Sequence, residues 1–170
     1  MNEKLASLLL DLSGLSDGEA EEVVFEKYVE LYLDRGTEPK RTGALQTHDE
    51  KKVVFFEDRF EHAFAQTVAW YEKGGFDRSR GERVAWIGPV VRGEIPGTEC
   101  WLVPPKNGGR RQPDRPWNRV YMVEEERYVV WLEPLRSGGW KFSSAYVAGY
   151  GDLRRYRRAG RRLWARENTP

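Results

Sequence analysis

The stretch that decides the fold is residues 119–132, which read RVYMVEEERYVVWL. Two runs of β-branched and aromatic residues enclose a short acidic turn, a pattern typical of paired strands. Similar runs lie on either side of it, so the sequence predicts four short strands, at residues 100–103, 119–123, 128–132 and 140–148. Four strands with tight connections indicate an antiparallel meander.

Helices are predicted before this region. Residues 16–19, SDGE, have the form of a capping box, and the apolar residues that follow at helical spacing predict a helix over 17–34. Acids at its start and glycines at its end predict a second helix over 57–73, with a short third helix or turn over 76–83. Pro89 is expected to end the segment that contains Trp86 and Ile87.

The composition divides the chain into three parts. Residues 1–50 form an acidic helical segment with a linker, in which residues 36–50 lack apolar periodicity. Residues 51–150 are predicted to form the domain proper. Residues 151–170 are predicted to form an arginine-rich helix or tail.

The net charge of +1 conceals a polarity along the chain. Residues 1–85 carry 12 Lys/Arg and 18 Asp/Glu, whereas residues 86–170 carry 16 and 9. Seven arginines and one acid lie between Asp152 and Arg166. Because the guanidinium fork matches phosphate, this segment favours a nucleic-acid partner. The alternative is a solvated helix whose arginines pair with the acidic N-terminal segment of the same molecule.

Several classes of function are disfavoured. A single cysteine, Cys100, excludes an internal disulfide, and two histidines, His48 and His62, give no zinc-ligand spacing. The apolar run Leu8–Leu10 is too short for a signal peptide or a membrane span. Motifs of phosphate loops and serine hydrolases are missing from the sequence. The sequence therefore predicts no metal, no cofactor, no membrane contact and a cytoplasmic location.

The predicted second helix carries a polar trio, Arg59, His62 and Gln66, away from its apolar stripe. Metal-free RNA cleavage needs a base for the ribose 2′-OH, an acid for the leaving 5′ oxygen and donors for the phosphate charge. Histidine suits the proton steps near neutral pH. The alternative is that an exposed histidine on a helix has no role.

The last predicted strand supplies further polar groups. Strict alternation puts Ser144 and Tyr146 on one face of the strand and Lys141 and Ser143 on the other. Lys141 and Ser144 then reach a single cleft only through a β-bulge or at the strand edge. The alternative is that two adjacent serines are simply tolerated in a strand.

Several motifs in order resemble a known family. They are RFEHAF at 59–64, GFDRSR at 75–80, RVAWIGPV at 83–90 and FSSAY at 142–146. Together with the strands at 119–132, they are similar to the phage-associated nuclease family grouped with barnase, EndoU, colicin-type toxins and RelE. The likeness spans roughly residues 52–150. It implies an α+β fold, with N-terminal helices packed on a curved, roughly four-stranded antiparallel sheet.

The resemblance also implies a function. Members of this group are predicted to be metal-independent endoribonucleases, often toxins of phages and mobile elements, so RNA and an immunity or antitoxin protein are the expected partners. His62 matches the family's helix histidine, Ser144 its closing-strand hydroxyl position and Tyr146 the aromatic residue after it. The expected product is a 2′,3′-cyclic phosphate.

Roles are assigned to the remaining candidates on this basis. His62 is predicted as the acid/base, Ser144 and Tyr146 as positioning donors, and Arg59 with Arg83 or Lys141 as phosphate stabilisers. The residues expected to bind nucleic acid are Arg80, Arg119, Arg154, Arg155 and Arg158. Two alternatives stay open. One is a non-catalytic binding module on the same fold, and the other is a protein-interaction factor whose acidic helix binds a basic partner.

Overall fold

A computed structural model describes residues 1–33, 45–69, 72–107, 110–111 and 114–167. The described residues form a mixed α+β fold around one large sheet. The α-helices, in chain order, are α1 Glu3–Ser7, α2 Asp17–Tyr32, α3 Phe60–Ala63, α4 Arg78–Glu82, α5 Ile87–Val91 and α6 Asp152–Ala159. The strands are β1 Leu45–Gln46, β2 Lys52–Val54, β3 Ala65–Ala69, β4 Glu72–Phe76, β5 Thr98–Val103, β6 Lys106–Asn107, β7 Arg110–Arg111, β8 Asn118–Val123, β9 Tyr128–Pro134, β10 Trp140–Val147 and β11 Arg161–Ala165.

The predicted meander is confirmed as the centre of the sheet. Strands β5, β8, β9 and β10 are antiparallel neighbours in chain order. Among the described residues the sheet has seven strands rather than about four, in the order β1-β2-β10-β9-β8-β5-β11. Strand β2 joins β10 in parallel, and β11 joins β5 antiparallel. The sequence predicts a short strand or entry segment at residues 53–56, which overlaps β2, whereas the two residues of β1 carry no periodicity that would reveal that strand.

The fold prediction placed the helices together in the N-terminal part of the chain. The helices do not form one such group in the structure. Helix α6 follows the meander and lies on the opposite face of the sheet from α2, which the capping box of Ser16 and Glu19 begins as predicted. We call the face that packs against α2 the inner face, and the face that packs against α6 the outer face. The sheet is therefore covered by helices on both sides.

The inner face holds the larger hydrophobic core. Tyr28 of α2 is fully buried, and its ring lies 5.9 Å from Phe55 and 6.4 Å from Phe142 of β10. Its hydroxyl donates to the carbonyl oxygen of Phe56 at 2.7 Å, so the buried polar atom is satisfied. Aromatic packing of this kind joins the acidic helix to the sheet.

The outer face holds a smaller core, which Leu153 and Tyr156 of α6 close. Gly160 ends this helix against β5, where a Cβ atom would overlap the carbonyl oxygen of Leu102. Glycine is therefore required for the chain to leave α6 and enter β11 at this separation.

The predicted second helix over 57–73 is wrong. A 3₁₀ turn at Glu57–Arg59 leads into α3, which ends at Ala63, and the chain then forms the hairpin of β3 and β4. Gln66 consequently lies on a strand and not beside His62 on a helix. A four-residue helix adds little free energy of its own, so tertiary packing decided the outcome.

The short helix over 76–83 is confirmed as α4. Pro89 lies within the first turn of α5 instead of ending a segment there. Proline is tolerated at this position because the first N–H groups of a helix have no partner within the helix. The predicted divisions at residues 50 and 150 stay predictions, and most of the predicted linker lies outside the described residues. None of the helices in the described ranges has the length and apolar character to cross a bilayer.

Candidate functional site

A β-bulge in β10 brings three of the predicted site residues to one face. The pairing with β9 shifts between Phe142 and Ser144, so Ser143 is the extra residue. Lys141 lies opposite Glu133, and Ser144 lies opposite Trp131 two residues earlier on β9. Since opposite residues of an antiparallel pair share a face, Lys141, Ser144 and Tyr146 all lie on the outer face.

A strip of polar contacts runs across the bulge. Lys141 Nζ lies 3.2 Å from Glu133 Oε2, and Ser143 Oγ donates to Glu133 Oε1 at 3.2 Å. Arg59 Nε donates to the carbonyl oxygen of Ser143 at 2.6 Å, and Arg59 Nη2 donates to Ser143 Oγ at 3.1 Å. Arg59 therefore holds the bulge in place, and Lys141, with 42% side-chain exposure, presents its ammonium group to solvent.

His62 is exposed on α3, which packs against β10. Its neighbours Phe60 and Ala63 face the inner core. The imidazole has no hydrogen-bond or ion-pair partner among the described residues, and neither does the hydroxyl of the half-buried Ser144. Neither group is therefore engaged by another side chain in the described part of the chain.

Tyr146 is part of a rigid hydrogen-bonded group on the outer face. Its hydroxyl accepts from Trp131 Nε1 at 2.9 Å and lies 3.0 Å from the hydroxyl of Tyr156 on α6. Burial raises the pKa of Tyr146 far above its ordinary value, and the neighbouring Tyr156 adds to this effect. Tyr146 therefore keeps its proton and can act as a hydrogen-bonding group but not as a base.

Arg80 is buried against the ring of Tyr146. Its guanidinium carbon lies 4.8 Å from the ring centroid, and its Nη atoms donate to the carbonyl oxygen of Ala63 at 3.2 Å and to Thr67 Oγ1 at 3.1 Å. Burial lowers the pKa of Arg80, and Asp77 opposes that shift. Only 9% of the Arg80 side chain is exposed, so Arg80 supports the ring of Tyr146 from the interior of the protein.

Helix α6 and the outer face enclose a cleft of about 280 Å³, which we call the outer cleft. The exposed Arg154, Arg155 and Arg158 share the solvent side of this helix, and Arg155 also borders the cleft. The other lining residues are Val103, Pro104, Pro105, Asn118, Trp131, Tyr146, Tyr156 and Ala159. Aromatic rings beside exposed arginines are the groups that hold single-stranded nucleic acid.

Arg83 lies apart from the other candidates. Its Nη1 donates to the carbonyl oxygen of Ser79 at 2.8 Å and to Glu82 Oε1 at 2.6 Å, and its guanidinium lies over the ring of the inner-core residue Trp86. These hydrogen bonds use Nη1, whereas Nε is buried without a hydrogen-bond partner among the described residues. The structure therefore does not bring Arg83 together with Lys141 or Ser144.

Arg119 is also separate from the outer face. It lies at the rim of the inner face, where its Nη1 and Nη2 donate to the two carboxylate oxygens of Asp49, each at 2.8 Å. Its guanidinium lies 4.6 Å from the ring centroid of Trp140, and its side chain is 7% exposed. Both Nη atoms of Arg119 are therefore engaged by a carboxylate of the same chain, in the bidentate geometry that arginine would otherwise offer to a phosphate.

His48 and Tyr121 complete this buried group, which sequence analysis missed. His48 Nδ1 lies 2.8 Å from Tyr121 Oη, and the imidazole stacks on Trp164 of β11 at 4.2 Å. Burial lowers the pKa of His48, while Arg119 holds the pKa of Asp49 well below its usual range. No local motif marks the group, because its members come from four separate parts of the chain.

No family model, curated protein or solved structure matches the chain. The resemblance to the barnase, EndoU, colicin and RelE group stays a prediction. Within the described ranges, no three His, Cys, Asp or Glu side chains converge as a metal site would require.

Proposed function

We propose that the chain is an endoribonuclease that acts along β10 without a metal ion. His62 takes the proton of a ribose 2′-OH, and the resulting oxygen attacks the adjacent phosphorus. The bond from phosphorus to the 5′ oxygen breaks, and that oxygen takes a proton from solvent water. The products are a 2′,3′-cyclic phosphate and a free 5′-OH.

The bulge in β10 is the observation that carries this proposal. It turns Lys141 and Ser144 to the same face of β10, the strand against which α3 packs, and α3 carries the exposed His62. Lys141 and the hydroxyl of Ser144 supply a cation and a donor for the charge that develops on phosphate oxygens. Arg59 acts here as a positioning residue, because it holds the carbonyl and hydroxyl of Ser143.

The test is incubation of the full chain with total RNA in EDTA, followed by end-group analysis of the fragments. We expect cyclic-phosphate ends, and we expect His62→Ala to lower the cleavage rate by about 10²- to 10⁴-fold. Glu61→Gln is the matched control, since Glu61 is an exposed neighbour on the same helix. Equal cleavage by wild type and His62→Ala, with both variants folded, would refute the role of His62.

A second candidate is a non-catalytic RNA-binding module. The observation in its favour is that no described group orients the imidazole of His62, whereas the arginines of α6 and the aromatic rings of the outer cleft are already placed for binding. RNA that stays intact in EDTA and in Mg²⁺, but binds with a salt dependence that the arginines of α6 set, would support this candidate over the nuclease.

A further inference from the structure

We propose that the outer cleft binds the base of one unpaired nucleotide, directly beside Ser144. This inference rests on the proposed RNA function and names the substrate as single-stranded RNA with an extruded base. The cleft and the proposed cleavage groups are continuous, because Trp131 lines the cleft and lies opposite Ser144 in the strand register. Helix α6 closes one side of the cleft, and it lies outside the segment that resembles the nuclease family.

The walls of the cleft fit a planar ring. Trp131, Tyr146 and Tyr156 line it together with Pro104 and Pro105. The three aromatic side chains are held by the hydrogen bonds from Trp131 Nε1 to Tyr146 Oη and between the two tyrosine hydroxyls. Trp131 also meets Tyr156 edge to face, with ring centroids 5.0 Å apart. Rings that are already fixed lose little freedom when a base stacks on them.

Asn118 supplies the polar group that distinguishes bases. Asn118 is the first residue of β8 and pairs with Val103 of β5. Its half-buried amide lines the cleft without a hydrogen-bond partner among the described residues. A side-chain amide both donates and accepts, so it can pair with the edge of a purine or pyrimidine. An amide left without a partner in such a cleft is expected to acquire one from a ligand.

Arg155 supplies the charge for the phosphate of the same nucleotide. It borders the cleft with a side chain that is 57% exposed, and its guanidinium also contacts Asp152 Oδ1 at 2.5 Å. The exposed Arg154 continues the basic surface along α6. A volume of about 280 Å³ lies just below the range of roughly 300 to 1,000 Å³ for ligand pockets, so the cleft suits no more than one nucleotide.

The experiment is a fluorescence titration of the full chain with AMP, GMP, CMP and UMP at fixed salt. We expect saturable quenching with a preference for one base, and loss of most of that quenching in Trp131→Phe. Asn118→Ala is expected to reduce the ratio of affinities between the best and worst base by about tenfold. Arg136→Ala is the control, because Arg136 is exposed in the turn between β9 and β10 and does not line the cleft, and it should leave the base preference unchanged.

The outcomes separate this inference from the proposed function. Absence of saturable binding to any of the four nucleotides, or an unchanged base preference in Asn118→Ala, would overturn the base site even if His62-dependent cleavage of RNA is observed. Conversely, base-selective quenching that depends on Trp131 and Asn118 supports the base site. If RNA stays intact in that case, the cleavage proposal fails and the base site stands.

Discussion

The two faces of the sheet use arginine in opposite ways. On the inner face, Arg119 is 7% exposed and gives both of its Nη atoms to Asp49. On the outer face, the arginines on the solvent side of α6 are exposed. Arg155 contacts one carboxylate, that of Asp152. A paired buried charge stabilises or specifies the fold, whereas an exposed one is available to a ligand. Arginine content alone therefore does not identify the binding surface.

The same difference extends to neutral polar groups. The inner hydroxyls of Tyr28 and Tyr32 donate to the backbone carbonyls of Phe56 and Val84, each at 2.7 Å. On the outer side, Ser144 and Asn118 have no side-chain partner among the described residues. The comparison predicts that changes on the inner face alter stability, and that changes on the outer face alter RNA binding.

The largest effect is expected from truncation in the inner core. Phe142→Ala removes a fully buried ring that contacts Tyr28 and Phe55, so we expect the free energy of unfolding to fall by about 4 kcal/mol. Leu153→Ala in the smaller outer core should cost about 2 kcal/mol. Urea titrations of both variants measure the difference, and a larger loss for Leu153→Ala would contradict the ranking of the two cores.

Breaking the buried ion pair ranks second. Asp49→Ala leaves the guanidinium of Arg119 buried without its carboxylate. We expect the free energy of unfolding to fall by about 3 kcal/mol, which is at the low end for breaking a buried ion pair because Asp49 reaches the surface. Glu133→Ala is the comparison, since it breaks an exposed pair with Lys141 and should cost less than about 1 kcal/mol. Similar losses in the two variants would show that Arg119 is not buried as described.

Gly160→Ala is expected to cost about 1 to 3 kcal/mol, because the added methyl overlaps the carbonyl of Leu102 and shifts α6. RNA affinity should fall as well, since α6 carries the exposed arginines. Gly18→Ala in α2 is the control, because a Cβ there meets nothing within 4 Å. Thermal unfolding and RNA titration of both variants measure these effects. If Gly160→Ala changes neither stability nor RNA affinity, the separation between α6 and β5 is larger than described.

His48 predicts a smaller, pH-dependent effect. Burial lowers its pKa in the folded state, so below the ordinary histidine value of about 6.5 the unfolded chain binds the proton more readily. Stability should therefore fall as the pH is lowered from 7 to 5. His48→Gln should flatten this part of the profile in urea titrations, and a profile that keeps the same slope would assign it to another group.

The smallest effect on stability, and the most specific effect on binding, is expected for the outer arginines. Arg154→Gln and Arg158→Gln should each leave the free energy of unfolding unchanged, and each should reduce the salt slope of RNA binding by about 0.7. Arg166 is also exposed, and it donates to the carbonyl oxygen of Gly93. Arg166→Gln therefore tests whether the loss of any exposed arginine has this effect. Equal slopes for all three variants would remove α6 as the preferred RNA surface.

The elements predicted correctly from the sequence are those that local chemistry decides. The four central strands are runs of β-branched and aromatic residues between clear turns, and α2 begins with the capping box of Ser16 and Glu19. The predicted helix over 57–73 failed because an apolar spacing compatible with a helix also suits a hairpin when glycines follow it. The candidate residues Lys141, Ser144 and Tyr146 could be proposed from the sequence, but their common face depends on the bulge.

By itself, the sequence determined the α+β class, the meander, the capped helix and the concentration of arginine near the C-terminus. The tertiary structure alone decided which arginines of the chain are exposed and which are paired: Arg119 and Asp49, for example, are 70 residues apart and meet only when the sheet forms. It also decided the bulge at Ser143, the position of α6 and the cleft that α6 closes. Local preferences act over a few residues, whereas these features depend on pairing between distant segments, whose energy is gained only on folding.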